Sequence, residues 1–297
     1  MDIAPSITRI IRSETLGKDL LAREWTRSGP ARGGVLVLHG LGDHSARHDW
    51  AAGLLTRAGY RVVGFDWPGG GGSDGIRGDL PTVEETCGLL DELIEGLGFS
   101  PTGIFAHSTG AFLLLHWLAR RGHDHDDLGS LRWVWLSSPL VRPSHGQPRL
   151  KIALATALAK RFPQMTLNTG VRARDCYHTR LDGAAEAAFA RAGVHHRVSL
   201  RFATSLMAEE GSLIASARKI SPGIAFLLTQ GGEDGVCPPG YAEELFQALP
   251  SRRKTWIFLS GSRHEPFRES GNAGITHSVR AWLQDIDEEA KPKDGSH

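Results

Sequence analysis

The sequence predicts an α/β fold, in which a mostly parallel, doubly wound sheet is interrupted by a helical cap insert. Three observations lead to this prediction. Short apolar runs alternate with segments of helical spacing in both halves of the chain, as parallel βαβ units require. The alternation stops at residues 140–221, where the pattern is mainly helical. A serine, Ser108, stands in a sharp turn between one predicted strand and the next helix.

The elements before the insert follow from local composition. Strands at 8–12 and 20–25 flank the turn residues Gly17-Lys18-Asp19, which predicts a hairpin. Continuous apolar runs at 35–38, 61–65, 103–105 and 133–136 are typical of parallel strands that are buried on both faces. Apolar residues at helical spacing predict helices at 46–58, 82–96 and, after the turn at Ser108, from 112 onward.

The insert and the second half complete the predicted organisation. Within the insert, helices are clearest at 150–162 and 182–192. Strands at 224–228 and 255–259 then alternate with helices at 241–248 and 273–285. We therefore expect a core formed by residues 1–139 and 222–286, a helical cap at 140–221, and a frayed polar tail at 287–297.

Composition narrows the class of protein. With 297 residues and 40% hydrophobic content, the chain can bury a full core as one large domain, or as one domain with an insert. No stretch approaches the roughly 18 apolar residues that a membrane span needs, and the N-terminus lacks the features of a secretory signal. Three cysteines without metal-like spacing predict free thiols in a reducing cytoplasm. A net charge of +1 argues against a nucleic-acid partner.

The charge is unevenly distributed. Residues 140–221 contain 13 Lys or Arg against 5 Asp or Glu, a net charge of +8, so the remainder of the chain carries −7. A basic cap predicts attraction to an anionic membrane surface or to acidic head groups, although a solvated Arg-rich surface would give the same count. The helix at 150–162 is apolar around much of its circumference. This pattern fits packing onto the core as well as the mouth of an acyl-chain tunnel.

The turn at Ser108 has the pattern of a nucleophile elbow. Phe105-Ala106-His107-Ser108-Thr109-Gly110 places a small residue two positions before the serine and a glycine two positions after it, with Ala106 where glycine is usual. Small flanking residues let the strand and the helix approach closely and leave the hydroxyl exposed at the helix N-terminus. Such short patterns also occur by chance, so the interpretation depends on partner residues.

The partners of a nucleophilic serine occur in the expected order. A serine hydroxyl needs a base, and the base needs an orienting acid. Where the serine stands in a nucleophile elbow, these groups follow in the chain order Ser, acid, His, each on a loop after a strand. Asp234 follows a strand that ends at Gln230, and His264 follows a strand that ends at Leu259. The sequence therefore predicts a Ser108–Asp234–His264 triad, with Glu233 as the competing acid.

An acyl-transfer site also needs donors that face the developing oxyanion. The main-chain N–H of Thr109, directly after the serine, is one candidate. The second should come from His39-Gly40-Leu41-Gly42 after the third strand, and we choose Leu41. His39 is interpreted as a structural brace for that loop.

These motifs resemble the monoacylglycerol lipase and lysophospholipase branch of the α/β-hydrolases, whose family also includes serine aminopeptidases. The resemblance runs from about residue 35 to residue 282 and rests on four stretches: residues 39–47 (His-Gly-x-Gly-Glu-His-Ser-x-Arg in the family), 66–75 (Asp-x-x-Gly-His-Gly-x-Ser-x-Gly), 264–269 (His-Glu-x-x-x-Glu) and Ser137-Ser138-Pro139-Leu140. Gly70, Ala106 and Thr109 depart from the family pattern, and Gly70 removes a histidine from its loop. The resemblance implies an α/β-hydrolase fold and hydrolysis of a lipid-like carboxylic ester without a metal or cofactor.

Other functions remain open at this point. The same triad serves serine aminopeptidases and acyltransferases, and Glu186, Glu209 and Glu210 are the cap carboxylates that would bind a substrate ammonium. A non-catalytic binding protein on the same fold is a further alternative. The glycine run 69–72 is interpreted as a loop rather than a phosphate site, because Pro68 precedes it and no helix follows directly. The cluster His123-Asp124-His125-Asp126-Asp127 is interpreted as a solvated loop rather than a metal site.

Overall fold

The structure, a computed structural model, describes residues 5–25, 29–121, 129–178, 182–269 and 273–289. One sheet contains eight strands: β1 (Ser6–Ser13), β2 (Lys18–Trp25), β3 (Gly34–Leu38), β4 (Arg61–Phe65), β5 (Pro101–His107), β6 (Trp133–Ser137), β9 (Ala225–Gly231) and β10 (Lys254–Leu259). They pair in the order β1-β2-β4-β3-β5-β6-β9-β10, and within this sheet β2 runs opposite to the other seven strands. The sheet is mostly parallel, as predicted.

Helices cover both faces of the sheet. The helices α1 (Asp49–Arg57) and α9 (Ala273–Glu289) pack on one face, and α2 (Val83–Glu95), α3 (Thr109–Arg121) and α8 (Pro239–Ala248) pack on the other. Strand β3 shows how the two cores are separated. Val35 and Val37 belong to the cluster that contains α1 and α9, whereas Leu36 and Leu38 belong to the cluster that contains α3. Both faces of this strand are buried, which explains its unbroken apolar sequence.

Two boundaries differ from the prediction. A short 3-10 turn, Ser45–His48, precedes α1 where we expected a continuous helix from residue 46. The last helix continues to Glu289 and so includes the first three residues, 287–289, of the predicted tail. Asp287 forms ion pairs with Arg32 and Arg132, so these residues are held to the core instead of fraying. The tail after residue 289 and the cluster at 123–127 lie outside the described residues.

The chain leaves the sheet between β6 and β9. This insert contains α4 (Arg149–Ala159), β7 (Thr166–Asn168), α5 (Ala173–Cys176), α6 (Asp182–Arg191), β8 (Arg197–Ser199) and α7 (Leu200–Ala217). The antiparallel pair β7–β8 was not predicted, because strands of three residues are too short to show an alternating pattern. Phe202 and Leu213 of α7 are fully buried in the same cluster as α3, so this helix packs as part of the core. None of the described helices is long and apolar enough to cross a bilayer.

Candidate active site

The turn between β5 and α3 holds Ser108 in a strained conformation. Its φ angle is 52°, in the left-handed region that residues with a side chain rarely occupy. The Ser108 main-chain N–H donates to the carbonyl oxygen of Ser137, at 3.0 Å. A Cβ atom at Gly110 would lie 2.7 Å from the carbonyl oxygen of His39, so only glycine lets α3 approach β3 this closely. The sharp strand–turn–helix that the sequence predicts around Ser108 is present.

The structure brings Ser108, His264 and Asp234 together. His264 Nε2 lies 3.0 Å from Ser108 Oγ, and His264 Nδ1 lies 2.9 Å from Asp234 Oδ2. All three side chains are at most 8% exposed. Three further donors fix the Asp234 carboxylate: the main-chain N–H of Val236 (2.9 Å), the main-chain N–H of Cys237 (2.7 Å) and Nε2 of Gln230 (3.1 Å). Because its acid is held from several sides, the His264 ring has a defined orientation.

The competing acid, Glu233, points elsewhere. Its Oε2 lies 3.1 Å from Nε2 of His178, a residue of the insert. Its side chain is about half exposed, whereas that of Asp234 is fully buried. Of the two carboxylates that the sequence offered, Asp234 is therefore the one that contacts His264.

The electrostatics of His264 are dominated by Asp234. Burial alone would lower the pKa of His264, but the negative charge of Asp234 and its hydrogen bond to Nδ1 outweigh burial and raise the pKa well above its usual value. Cys237 also lies close to the ring, yet burial raises the pKa of its thiol. Because the thiol is therefore neutral at physiological pH, the charge beside His264 is that of Asp234.

His39 braces the loop that precedes α1, as predicted. Its Nδ1 lies 2.7 Å from the Gly40 carbonyl oxygen, and its Nε2 accepts the main-chain N–H of Trp67 at 2.9 Å. Burial lowers the pKa of His39 to about 4, so the ring stays neutral at physiological pH. A neutral ring with Nδ1 protonated satisfies both contacts.

The two predicted oxyanion donors, Leu41 and Thr109, both line the cavity that contains Ser108. Among the hydrogen bonds of the described residues, neither main-chain N–H has an acceptor. A Cβ atom at Gly40 would lie 3.1 Å from the Cβ of Ser108, so the loop of Leu41 runs directly past the serine. Thr109 is the first residue of α3, where helical N–H groups have no partner inside the helix.

A buried ion network, which the sequence did not reveal, joins the Leu41 loop to the loop of His264. Arg47 donates to Asp43 Oδ1 (2.7 Å) and to both carboxylate oxygens of Glu265 (2.9 and 2.7 Å). Although burial opposes ionisation, Arg47 holds the pKa of Asp43 well below its usual range. The Arg47 guanidinium also lies 4.7 Å from the ring centre of Phe189 in the insert. Arg47 and Glu265 are 218 residues apart, so no spacing relates them in the sequence.

The glycine-rich loop at 69–72 packs beside His39 and is held by main-chain hydrogen bonds. Asp66 accepts the N–H groups of Ser45 (2.7 Å) and Gly72 (2.9 Å), and the N–H of Gly70 donates to the Trp67 carbonyl oxygen. These internal acceptors support the interpretation as a loop rather than a phosphate site. A Cβ atom at Gly70 would lie 3.1 Å from the carbonyl oxygen of Trp67, so the missing histidine does not leave an open gap here.

A cavity of about 790 Å³ leads to Ser108 and His264. Its lining combines sheet loops with the insert, and much of the insert's share is apolar, including Ile152, Val198, Leu206 and Met207. The cap carboxylates considered for an ammonium substrate lie elsewhere: Glu210 binds Ser144, Glu209 binds Ser212, and Glu186 accepts the N–H of Ala173. In the described part of the chain, no group of three or more His, Cys, Asp or Glu residues is arranged to hold a metal ion.

Comparison with known proteins agrees with this geometry. A family model described as serine aminopeptidase, S33, matches residues 29–271. The chain belongs to this family of α/β-hydrolases. Residues 29–271 include both the insert and all five residues of the predicted site. The α/β-hydrolase fold predicted from the motifs is therefore confirmed.

Three relatives illustrate the family. The monoglyceride lipase of Mus musculus is 25% identical over 278 residues, which cover 90% of this chain and 87% of the mouse protein. The monoacylglycerol lipase of Paleococcus ferrophilus, whose crystal structure is known, is 30% identical in sequence. Its structure aligns with 90% of this chain and 99% of its own, with a TM-score of 0.78. An uncharacterised abhydrolase domain-containing protein of Dictyostelium discoideum is 25% identical over 96% of this chain, which spans 30% of that protein's length. The chain is thus a hydrolase of the lipase and esterase branch of the family.

Proposed function

We propose that the protein is a serine hydrolase that cleaves carboxylic esters through an acyl-enzyme, with monoacylglycerols or lysophospholipids as its substrates. The observation that carries the proposal is the hydrogen-bonded chain from Ser108 Oγ through His264 to Asp234, which opens into a partly apolar cavity. The names of two relatives, both lipases of monoacylglycerol, support the lipid-like substrate.

In the proposed mechanism, Ser108 Oγ attacks the ester carbonyl carbon while His264 Nε2 accepts the hydroxyl proton. Asp234 stabilises the imidazolium that forms, and the N–H groups of Leu41 and Thr109 stabilise the tetrahedral oxyanion. The intermediate collapses to the acyl-enzyme as His264 gives its proton to the departing alcohol. Water, deprotonated by the same histidine, then attacks the acyl-enzyme and releases the carboxylic acid.

Residues 140–221 act as a cap over this reaction centre in our proposal. The support is that the cavity is lined from both sides, by sheet loops that carry Ser108 and His264 and by insert residues such as Ile152 and Leu206. Apolar insert side chains would take the acyl chain, since each buried CH₂ group contributes about 0.8 kcal/mol.

The test is the substitution Ser108→Ala. We expect it to abolish turnover of short and medium p-nitrophenyl esters and labelling by a fluorophosphonate probe, because the attacking oxygen is gone. Ser138→Ala is the matched control, since Ser138 is also a buried serine with positive φ at the end of a neighbouring strand. Wild-type turnover in Ser108→Ala would remove the mechanism. A folded wild-type protein that the probe does not label would favour a non-catalytic binding protein.

A substrate panel separates ester hydrolysis from the two related activities. Amino-acyl anilides report a peptidase, and ester turnover with added alcohols as acceptors reports an acyltransferase. We expect hydrolysis of esters to be fastest, because the cap carboxylates Glu186, Glu209 and Glu210 do not line the cavity that leads to Ser108. Faster turnover of anilides would reassign the protein as an aminopeptidase.

The rate should depend on pH through His264. Protonated His264 cannot accept the serine proton, so kcat/KM falls as pH drops through its pKa. Because Asp234 raises this pKa, the acid limb should lie above the ordinary range of histidine. Asp234→Asn removes the charge, so we expect the limb to move to lower pH and kcat to fall about 10⁴-fold. The pH–rate profile of both proteins with a soluble ester measures this, and a limb at the same pH in the variant would contradict it.

We further propose that the cap contacts an anionic membrane surface transiently. Residues 142–174 contain seven Lys or Arg and no Asp or Glu. In and after α4, Leu150 is 82% exposed, Leu154 58% and Phe162 51%. Exposed apolar side chains among basic residues favour the interface of a negatively charged bilayer. We expect the protein to sediment with phosphatidylglycerol vesicles at low salt but much less with phosphatidylcholine vesicles. Equal binding to both would remove the electrostatic part of the proposal.

A further inference from the structure

His178 lies where the insert meets two loops of the site. Its Nδ1 is 3.0 Å from Oε1 of Glu269, and its Nε2 is 3.1 Å from Oε2 of Glu233. Its main-chain N–H also donates to the Glu269 carboxylate, at 3.2 and 3.1 Å to the two oxygens. One histidine thus contacts two carboxylates, which belong to different loops of the core.

Both contacts are hydrogen bonds from the ring only when the ring is charged. An ionised carboxylate only accepts hydrogen bonds, and a neutral imidazole has a single N–H. With one neutral tautomer, the other nitrogen would direct its lone pair at a carboxylate oxygen. Only the imidazolium donates to Glu233 and Glu269 together. In its charged form the ring places one positive charge between these two carboxylates.

Each carboxylate is coupled to a residue of the proposed triad. Glu233 directly precedes Asp234, and its N–H donates to the Ser262 carbonyl oxygen at 2.9 Å. Glu269 accepts the N–H of Arg263 at 3.1 Å, and Arg263 directly precedes His264. The side chain of Glu269 is only 7% exposed. Movement of either carboxylate would therefore be transmitted to the neighbouring triad residue through one peptide unit.

Residues 174–178 also make hydrogen bonds with the loop that carries His264. The Glu265 N–H donates to the carbonyl oxygen of Cys176 at 2.6 Å, and the guanidinium of Arg263 donates to the carbonyl oxygen of Arg174. The main-chain contacts orient the segment, and His178 adds the connection to the second loop.

We infer that His178 is a positioning residue, which as an imidazolium bridges Glu233 and Glu269 and thereby holds Asp234 and His264 in register with Ser108. The inference rests on the proposed function. His178 does not touch the reacting atoms. It acts through the two loops, so its removal should slow the chemical step without weakening substrate binding.

The test compares three substitutions at this position with a soluble p-nitrophenyl ester. For His178→Ala we expect kcat to fall about tenfold with KM nearly unchanged, since misplacement of a catalytic group by ~1 Å costs up to about a hundredfold. His178→Arg keeps a positive charge and two-sided donors, and should restore most of kcat. His178→Gln keeps a donor without the charge and should not. His277→Ala, an exposed histidine of α9, is the control and should match wild type.

A double-mutant cycle with Glu233→Gln decides whether the bridge is the cause. We expect Glu233→Gln to lower kcat by itself, and to add no further loss to His178→Ala. Additive losses, or a folded His178→Ala with wild-type kcat, would overturn the inference. The fluorophosphonate labelling rate of Ser108 should follow kcat across the series. Failure of the proposed function is distinguishable, because it would appear as ester turnover that survives Ser108→Ala.

Discussion

Two parts of the insert relate to the active site in different ways. The α4 part, residues 142–169, bonds to elements of the core and to α7 that do not carry the proposed triad. It does so through Arg142, Ser144, His145, Pro163, Gln164 and Met165. The α5–β8 part, described at 170–178 and 182–199, bonds to the loops of the site. The N–H of His195 donates to Gly42, Cys176 accepts from Glu265, and His178 contacts Glu233 and Glu269.

This difference suggests that one insert serves two purposes. A part that shares hydrogen bonds with the Leu41, Asp234 and His264 loops restricts their positions, because moving it would break those bonds. A part that exposes leucines and basic residues is suited to contact an interface. Similar substitutions in the two parts should therefore differ in their effect on catalysis.

Among substitutions that compare the two parts of the insert, the largest effect should come from Gly42→Ala. Gly42 has φ of 75°, and a Cβ atom there would collide with the carbonyl oxygen of His195. The α5–β8 part must then move away from the loop that carries Leu41. We expect kcat for a soluble ester to fall about 10²–10³-fold, the usual cost of a displaced oxyanion donor.

Gly146→Ala is the matched control in the α4 part. Gly146 also has positive φ, at 68°, but a Cβ atom there would meet nothing within 4 Å. Alanine at this position should lower the free energy of unfolding by about 1–2 kcal/mol, because a residue with a Cβ atom is strained in the left-handed conformation. Urea unfolding measures that cost, while kcat should be unchanged. Equal losses of kcat in the two variants would mean that contact with His195 is irrelevant to the site.

A smaller effect is expected from Glu265→Gln. Glu265 and Arg47 are both buried, and the substitution leaves Arg47 with Asp43 as its carboxylate partner. Breaking a buried pair by removing one partner costs about 3 kcal/mol in unfolding free energy.

Its counterpart near the α4 part is Glu244→Gln. Glu244 pairs with Arg142 at 3.2 Å, and both side chains are more than a third exposed. Exposed pairs are worth less than about 1 kcal/mol. Urea denaturation of both variants tests the contrast, and a loss for Glu244→Gln as large as that for Glu265→Gln would contradict it.

The proposed triad could be predicted because of where it lies in the sheet. Ser108, Asp234 and His264 each follow a parallel strand, and the carboxyl ends of such strands meet at one edge. Their positions after these strands were therefore enough to predict that they lie close together. That Asp234, and not Glu233, contacts His264 is visible only in the three-dimensional structure, since adjacent residues on one loop differ only in side-chain direction.

The long-range contacts around the site could not be predicted in the same way. Arg47 and Glu265, or His178 and Glu233, are far apart in sequence, and each looks like a solvated polar residue by itself. Helix α7 shows the same limit. Its apolar residues indicate a helix, but only packing shows that Phe202 and Leu213 join the core beside α3. Long-range side-chain contacts leave no local periodicity to detect.

The smallest effect on catalysis should come from the exposed leucines of α4, at 150 and 154. For Leu150→Gln and Leu154→Gln we expect unchanged kcat/KM with a soluble ester, because both side chains point into solvent. Partitioning onto phosphatidylglycerol vesicles should fall about tenfold for each, since inserting a leucine gains roughly 1.5 kcal/mol. Co-sedimentation and hydrolysis of a vesicle-borne monoacylglycerol measure this in parallel. Loss of soluble-ester activity in these variants would instead show that α4, like the α5–β8 part, helps to position the catalytic loops.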